Sequence, residues 1–205
     1  MGGLNIQLMR HLVRLAVVWF SRQIARIDSF MVAENNSYLM TKLKSCGQGV
    51  HFHGKVTIIA PGKVSLEDNV HLGNNSYLDG RGGITIGENT HISRNFVVHS
   101  SSHDYEGTRL PYDDVYVYKP ITLGRNVWIG TNVVIVPGAS IGDGAIVGAG
   151  AVVSKSIPPL AIVGNQPLRI LKYRQQHHYD RLDAAKSYGG VMGKPLKSAL
   201  RHDET

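Results

Sequence analysis

Three groups of side chains in this sequence could do chemistry. The first is Ser100-Ser101-Ser102-His103-Asp104-Tyr105, an imidazole set among small polar residues. Imidazole has an unperturbed pKa of about 6.5, so near neutral pH it can take the proton of a hydroxyl as that hydroxyl attacks a carbonyl. A loop histidine can equally be a solvated side chain, and residue type alone leaves His103 open between the two. The second group is Asp79 and His99, 20 residues apart. Asp79 could hold an acceptor hydroxyl, orient His103 or be a turn aspartate beside Gly80; His99 is a rival base. The third is His51, His71 and His91, again 20 apart, with Trp128 continuing the series. Such a column could bind a metal or be a polar packing column. The single cysteine, Cys46, excludes an intrachain disulfide, fits a reducing compartment, and falls at a core position of the repeat described next, as a buried thiol. No Ser or Cys is placed as a nucleophile, so a transfer reaction would be direct.

These groups are positioned by a period of six. An aliphatic residue recurs at Leu123, Ile129, Ile135, Ile141, Val147 and Val153, and a second apolar residue follows four places on, at Val127, Val133, Ala139, Ala145, Ala151 and Ile157. The step runs upstream in threes: Cys46, Phe52, Ile58; Leu66, Leu72, Leu78; Ile86, Ile92, Val98. Each hexad makes a short strand and a turn, and three hexads make one coil of a triangular prism whose aliphatics stack inside. The turns need backbone conformations cheap for Gly and Asn, which accounts for 23 glycines and for Asn69, Asn75, Asn89, Asn95, Asn126 and Asn132. A helix is excluded over this stretch, because a period of six gives no coherent helical face. The insertions, of two, two and 19 residues, all leave from the corner between the third and first faces, and the longest carries His103. His51, His71 and His91 share one repeat position and are expected as an outward-facing ladder on the first face. Asp79 and His99 should lie on successive coils.

Charge divides the chain in three. Residues 1–44 carry six Lys/Arg against two acids, residues 172–205 seven against four, and residues 45–171 nine of each, within a net charge of +7. A neutral central domain argues against a nucleic-acid partner. The organisation expected is a basic N-terminal amphipathic helix over 1–44, a β-helical domain over 45–171 with an inserted loop at 99–122, and a basic helical or flexible tail over 172–205. Leu12 to Phe20 is apolar but short, and Arg10, Arg14, Arg22 and Arg26 interrupt its surroundings at helical spacing, so a helix packed on the domain or on a neighbouring subunit, or touching a membrane surface, fits better than a span or signal peptide.

The runs Pro120-Ile121-Thr122-Leu123-Gly124, Asn126-Val127-Trp128-Ile129-Gly130, Val136-Pro137-Gly138, Val147-Gly148-Ala149-Gly150 and Ile157-Pro158-Pro159 resemble the hexapeptide-repeat acyltransferases, in particular the maltose, galactoside and nodulation acetyltransferase group. The match runs in order over 84–172, while 45–83 matches only the generic repeat. The run Gly164-Asn165-Gln166-Pro167-Leu168-Arg169 is one residue longer than the group's usual ending. The resemblance implies a left-handed parallel β-helix, a hand that spacing alone does not fix. It also implies His103 as the catalytic base, 25 residues before Trp128 and 19 after Ile84. Substrate contacts are implied at Asp79, His99, Asp104, Tyr105 and Trp128, with Trp128 lining a site between subunits. Contacts to acetyl-coenzyme A are implied at Thr131, Ala149, Ser154, Lys155, Arg169 and Lys172, and the assembly implied is a homotrimer.

The function expected is O-acetylation of a sugar, glycan or similar hydroxyl from acetyl-coenzyme A, without a metal, as in polysaccharide biosynthesis. The alternatives are N-acetylation of an amino sugar nucleotide and a metal-binding β-helix of carbonic-anhydrase type. The basic ends suggest a cytoplasmic enzyme at the inner membrane face.

Overall fold

The computed structural model describes residues 2–108, 111–112, 114–164 and 169–186. Helix α1 (Gly2–Lys42) leads into a left-handed parallel β-helix, and helix α2 (Gln176–Ala184) follows it. The first face stacks Ser45–Cys46, Val64–Leu66, Ile84–Ile86, Ile121–Leu123 and Ser140–Ile141. The second stacks His51–His53, His71–Gly73, His91–Ile92, Trp128–Ile129, Ile146–Val147 and Ala161–Gly164. The third stacks Val56–Ile59, Ser76–Asp79, Val97–His99, Val134–Ile135 and Val152–Val153. Neighbouring parallel strands on a face are 16 to 37 residues apart in sequence, so no coil buries its apolar edge without the next.

The aliphatics of the six-residue series fill the interior. Leu66, Leu72, Leu78, Ile86, Val98, Leu123, Ile129 and Ile135 are all buried. At the corners, the six asparagines of the repeat have φ between +55° and +60°. Asparagine is there because it tolerates this left-handed region and because its amide can bond along the prism. Asn75 Nδ2 donates to Asn95 Oδ1 (3.0 Å), and Asn95 Nδ2 donates to Asn132 Oδ1 (2.8 Å). In the last coils Gly144 and Gly150 take over the same turn role at φ +67° and +72°.

Three details differ from the sequence reading. Cys46 aligns with Leu66 in its column but is exposed, because it belongs to the first coil and no strand pairs beneath it. Ile157 is a first-face residue, bridged to Ile141, so the chain steps by four rather than six into its last coil. The histidine series lies on the second face, and its middle member, His71, is buried at 5% exposure rather than facing outward. Its neighbours on both sides cover it.

The last turns of α1 close the open lower end of the prism. Leu39, Met40 and Leu43 pack against the core, and Asn36 Nδ2 donates to Gly54 O (2.7 Å). At the other end, strand Arg169–Tyr173 runs antiparallel to Ala161–Gly164, so the second-face sheet continues past residue 171. Helix α2 docks on a corner, with Asn126 Nδ2 donating to Tyr179 Oη (2.8 Å) and Arg125 Nη2 2.8 Å from Asp183 Oδ2. Of the expected tail over 172–205, residues 187–205 lie outside the described residues.

Candidate active site

The 19-residue insertion is a built element. After His99 the chain leaves the third face, runs out as Ser101–His103, and returns antiparallel as Tyr116–Tyr118 before rejoining the first face at Ile121, beside Ile84. His103 pairs with Tyr116 across this hairpin. Its half-buried ring lies between two aromatics, stacked on Tyr112 at 4.0 Å between centroids and tilted on Tyr116 at 4.3 Å. Asp104 supports the turn: its carboxylate accepts from Glu106 N (3.0 Å) and its own N–H bonds Val115 O. Tyr105 is exposed at the tip.

The root of the hairpin is locked by an ion pair. Asp79 is fully buried, and its carboxylate accepts Arg81 Nε (2.9 Å), Arg81 Nη2 (2.8 Å) and Ser101 Oγ (2.6 Å). Burial pushes the carboxyl pKa up, but the bonds from Arg81 and Ser101 outweigh it and bring the pKa down to about 2. Asp79 therefore stays charged and holds the insertion to the coil. The Arg81 guanidinium lies over the Tyr116 ring at 4.4 Å, a cation–π contact, so Asp79, Arg81, Tyr116 and His103 form one continuous series of contacts. Ser100 completes the root: its hydroxyl donates to Asp79 O and accepts from Gly82 N, and its carbonyl accepts Lys119 N. Gly82 is required there, because any Cβ would overlap the Ser100 carbonyl.

Asp79 and His99 are register partners, with His99 Nδ1 3.8 Å from Asp79 Oδ2. Sequence reasoning missed Arg81, Ser101, Tyr112 and Tyr116. The available signal was that four of the nine tyrosines fall within 99–122, an aromatic excess that marks a packed loop.

The other expected contact residues fall elsewhere on the prism. Trp128 is 57% exposed on the second face, in register with His91. Thr131 and Ala149 meet at the corner between the second and third faces, where Gly150 N donates to Thr131 O (2.8 Å) and a Cβ at Gly150 would meet open space. Ser154 and Lys155 are exposed at the third corner, the one that carries the hairpin. Lys172 is exposed on the terminal strand, and the side chain of Arg169 lies outside the described residues.

The histidine column is a hydrogen-bonded stack. His71 and His91 lie 4.3 Å apart at 28°, and His53, which the spacing did not include, joins at 5.1 Å and 26°. Both nitrogens of His71 are engaged, Nδ1 with His53 Nε2 (2.9 Å) and Nε2 with Asn69 Oδ1 (3.1 Å). Burial, and then the neighbouring imidazoles, push the His71 pKa down to about 4. Among the described residues no cluster of His, Cys, Asp or Glu is arranged to hold a metal.

Two family models match the chain: the bacterial transferase hexapeptide (six repeats) over residues 120–155, and the hexapeptide repeat of succinyl-transferase over 63–100. No curated protein sequence matches significantly. Among solved structures, the chain is similar to a hexapeptide-repeat-containing acetyltransferase of Vibrio cholerae O1 biovar eltor complexed with acetyl coenzyme A. The identity is 27% over 70% of this chain and 78% of that one, with a TM-score of 0.65. A maltose O-acetyltransferase of Clostridium difficile 630 has the same fold, with 23% identity, 77% and 86% coverage and a TM-score of 0.62. So does an N-acyltransferase of Bacillus cereus in complex with dTDP and 3-hydroxybutyryl-CoA, with 23% identity, 74% and 94% coverage and a TM-score of 0.60. The two repeat matches flank the insertion that carries His103, and with the acetyltransferase structures of the same fold they are consistent with the hexapeptide-repeat acyltransferase superfamily.

Proposed function

We propose that the protein is an acyltransferase that moves an acetyl group from acetyl-coenzyme A to a hydroxyl of a sugar or glycan, with His103 as the base. The observation that carries this reading is the position of His103 on a hairpin anchored at a prism corner, its ring held by Tyr112 and Tyr116. In the reaction the imidazole removes the acceptor's proton as its oxygen attacks the thioester carbon. A C–O bond forms, the C–S bond breaks, and the coenzyme A sulfur leaves with the proton. The donor is supported by the Vibrio cholerae relative, which was solved with acetyl coenzyme A. Small residues at Thr131, Ala149 and Gly150 leave an exposed corner that a pantetheine arm could approach, and Lys155 offers a point charge for a phosphate.

The assembly in this reading is a homotrimer, supported by the exposure of Trp128 on the second face, and the enzyme works in the cytoplasm. N-acylation of an amino sugar nucleotide is the second reading. Its support is the Bacillus cereus N-acyltransferase, a structure of which contains dTDP-4-amino-4,6-dideoxyglucose.

The test is thiol release from acetyl-coenzyme A by the native chain and by His103→Ala, with matched hydroxyl and amino acceptors. The expected result is a loss of about 10²- to 10⁴-fold in the variant, with turnover on the hydroxyl acceptor. Near-native turnover in His103→Ala removes the histidine from the mechanism, and turnover only on the amine selects the second reading.

A further inference from the structure

Helix α1 is held by the prism only through its last turns. Upstream, from Leu8 to Met31, every large apolar side chain is 49–66% exposed. A helix turns about 100° per residue, which places Met9, Leu12, Trp19, Phe20, Ile27 and Met31 within one half of the circumference. Gln23 alone interrupts the apolar series of that half. Arg10, Arg14, Arg22 and Arg26 all lie on the other half, and no Asp or Glu precedes Asp28. This segment is a rod roughly 37 Å long, apolar on one side, with its four arginines on the other among Leu8, Leu15, Val18 and a few small polar residues.

An apolar stripe of this length is a surface made to be covered. The prism does not reach it. A second copy packed on the apolar half would cover it but leave the four arginines of each helix facing outward, with no acid before Asp28 to pair with them. An anionic surface supplies both what the apolar half lacks and what the cationic half attracts. The segment does not cross that surface, since no helix among the described residues is long and apolar enough to span a membrane.

We propose that residues 7–31 are an in-plane anchor for an anionic lipid surface. The apolar half sinks to the level of the acyl chains, and the four arginine stems reach back so that their guanidinium groups meet lipid phosphates. The prism then hangs from the membrane by the helix end that plugs its core.

The experiment is flotation of the full chain with vesicles of phosphatidylcholine alone or of phosphatidylcholine with phosphatidylglycerol. The chain should float with the anionic vesicles about tenfold or more better than with the neutral ones, with a blue shift of Trp19 emission. Replacing all four arginines by Gln should abolish the preference, and Phe20→Ser with Ile27→Ser should abolish binding. Both variants should keep the native thermal unfolding transition, because neither touches the prism. Failure of the native chain to float, or equal flotation with both vesicle types, overturns the proposal. So does a change of oligomer size in the Phe20→Ser, Ile27→Ser variant without any vesicle binding, which assigns the stripe to a second copy.

Discussion

His103 and Tyr116 face each other as register partners in an antiparallel hairpin, their ring centroids 4.3 Å apart, and Tyr116 in turn lies under the guanidinium of Arg81. The imidazole is thus aimed by a ring that is itself held from the coil below. Tyr116→Ala should lower kcat about 10²-fold while leaving the KM for acetyl-coenzyme A near its native value, since misplacing a reacting group by an ångström costs about this much. Steady-state thiol-release kinetics check it, and a change confined to KM would separate Tyr116 from the base.

Asp79→Asn should weaken both the fold and its acid limb. The native carboxyl has a pKa of about 2 against 3.8 when unfolded, so its contribution is complete above pH 3.8 and is lost as pH falls towards 2. The contribution is roughly 2 kcal/mol. Urea midpoints measured at pH 5 and pH 2.5 should differ by less in the variant than in the native chain.

The histidine stack acts in another pH window. His71 is held at about 4 against 6.5 unfolded, so the native state resists a proton that the unfolded chain accepts. Stability is complete above pH 6.5 and falls as pH drops from there to about 4, by roughly 3 kcal/mol. His53 and His91, also lowered by burial first, steepen the same slope. His71→Val, which matches the β-branched residues higher in that column, should flatten unfolding free energy between pH 7 and pH 4.

The asparagine ladder is the fourth target. Asn95 sits at φ +58° and bonds both Asn75 and Asn132. Asn95→Ala should cost about 1–2 kcal/mol from left-handed strain and lost hydrogen bonds, and Asn95→Gly less, because glycine keeps the backbone. Thermal unfolding of the two variants should rank them in that order.

The prism was legible in the sequence because its packing is periodic. Leu66, Ile86 and Leu123 repeat a type at a fixed interval because each is the neighbour of the next. The same logic failed at the ends. Cys46 has the right interval and no coil beneath it, and Ile157 enters the last coil early. Arg81 was invisible for a different reason. Its partners are Asp79, two residues away, and Tyr116, 35 residues on, and only the folded hairpin brings the second to it. His103 was singled out by the family resemblance and its spacing to Ile84 and Trp128, whereas the rings that hold it obey no interval.

The chain resumes the prism at Ile121 beside Ile84, one strand above the point where the previous turn of that face ended. The aliphatic columns therefore do not register how many residues are spent outside the corner, and the closure entropy of a longer excursion grows only slowly. The corner works as a socket: evolution, or an engineer, can exchange the hairpin there for one of different length and composition. Substrate preference can then diverge while the scaffold's folding instructions stay unchanged.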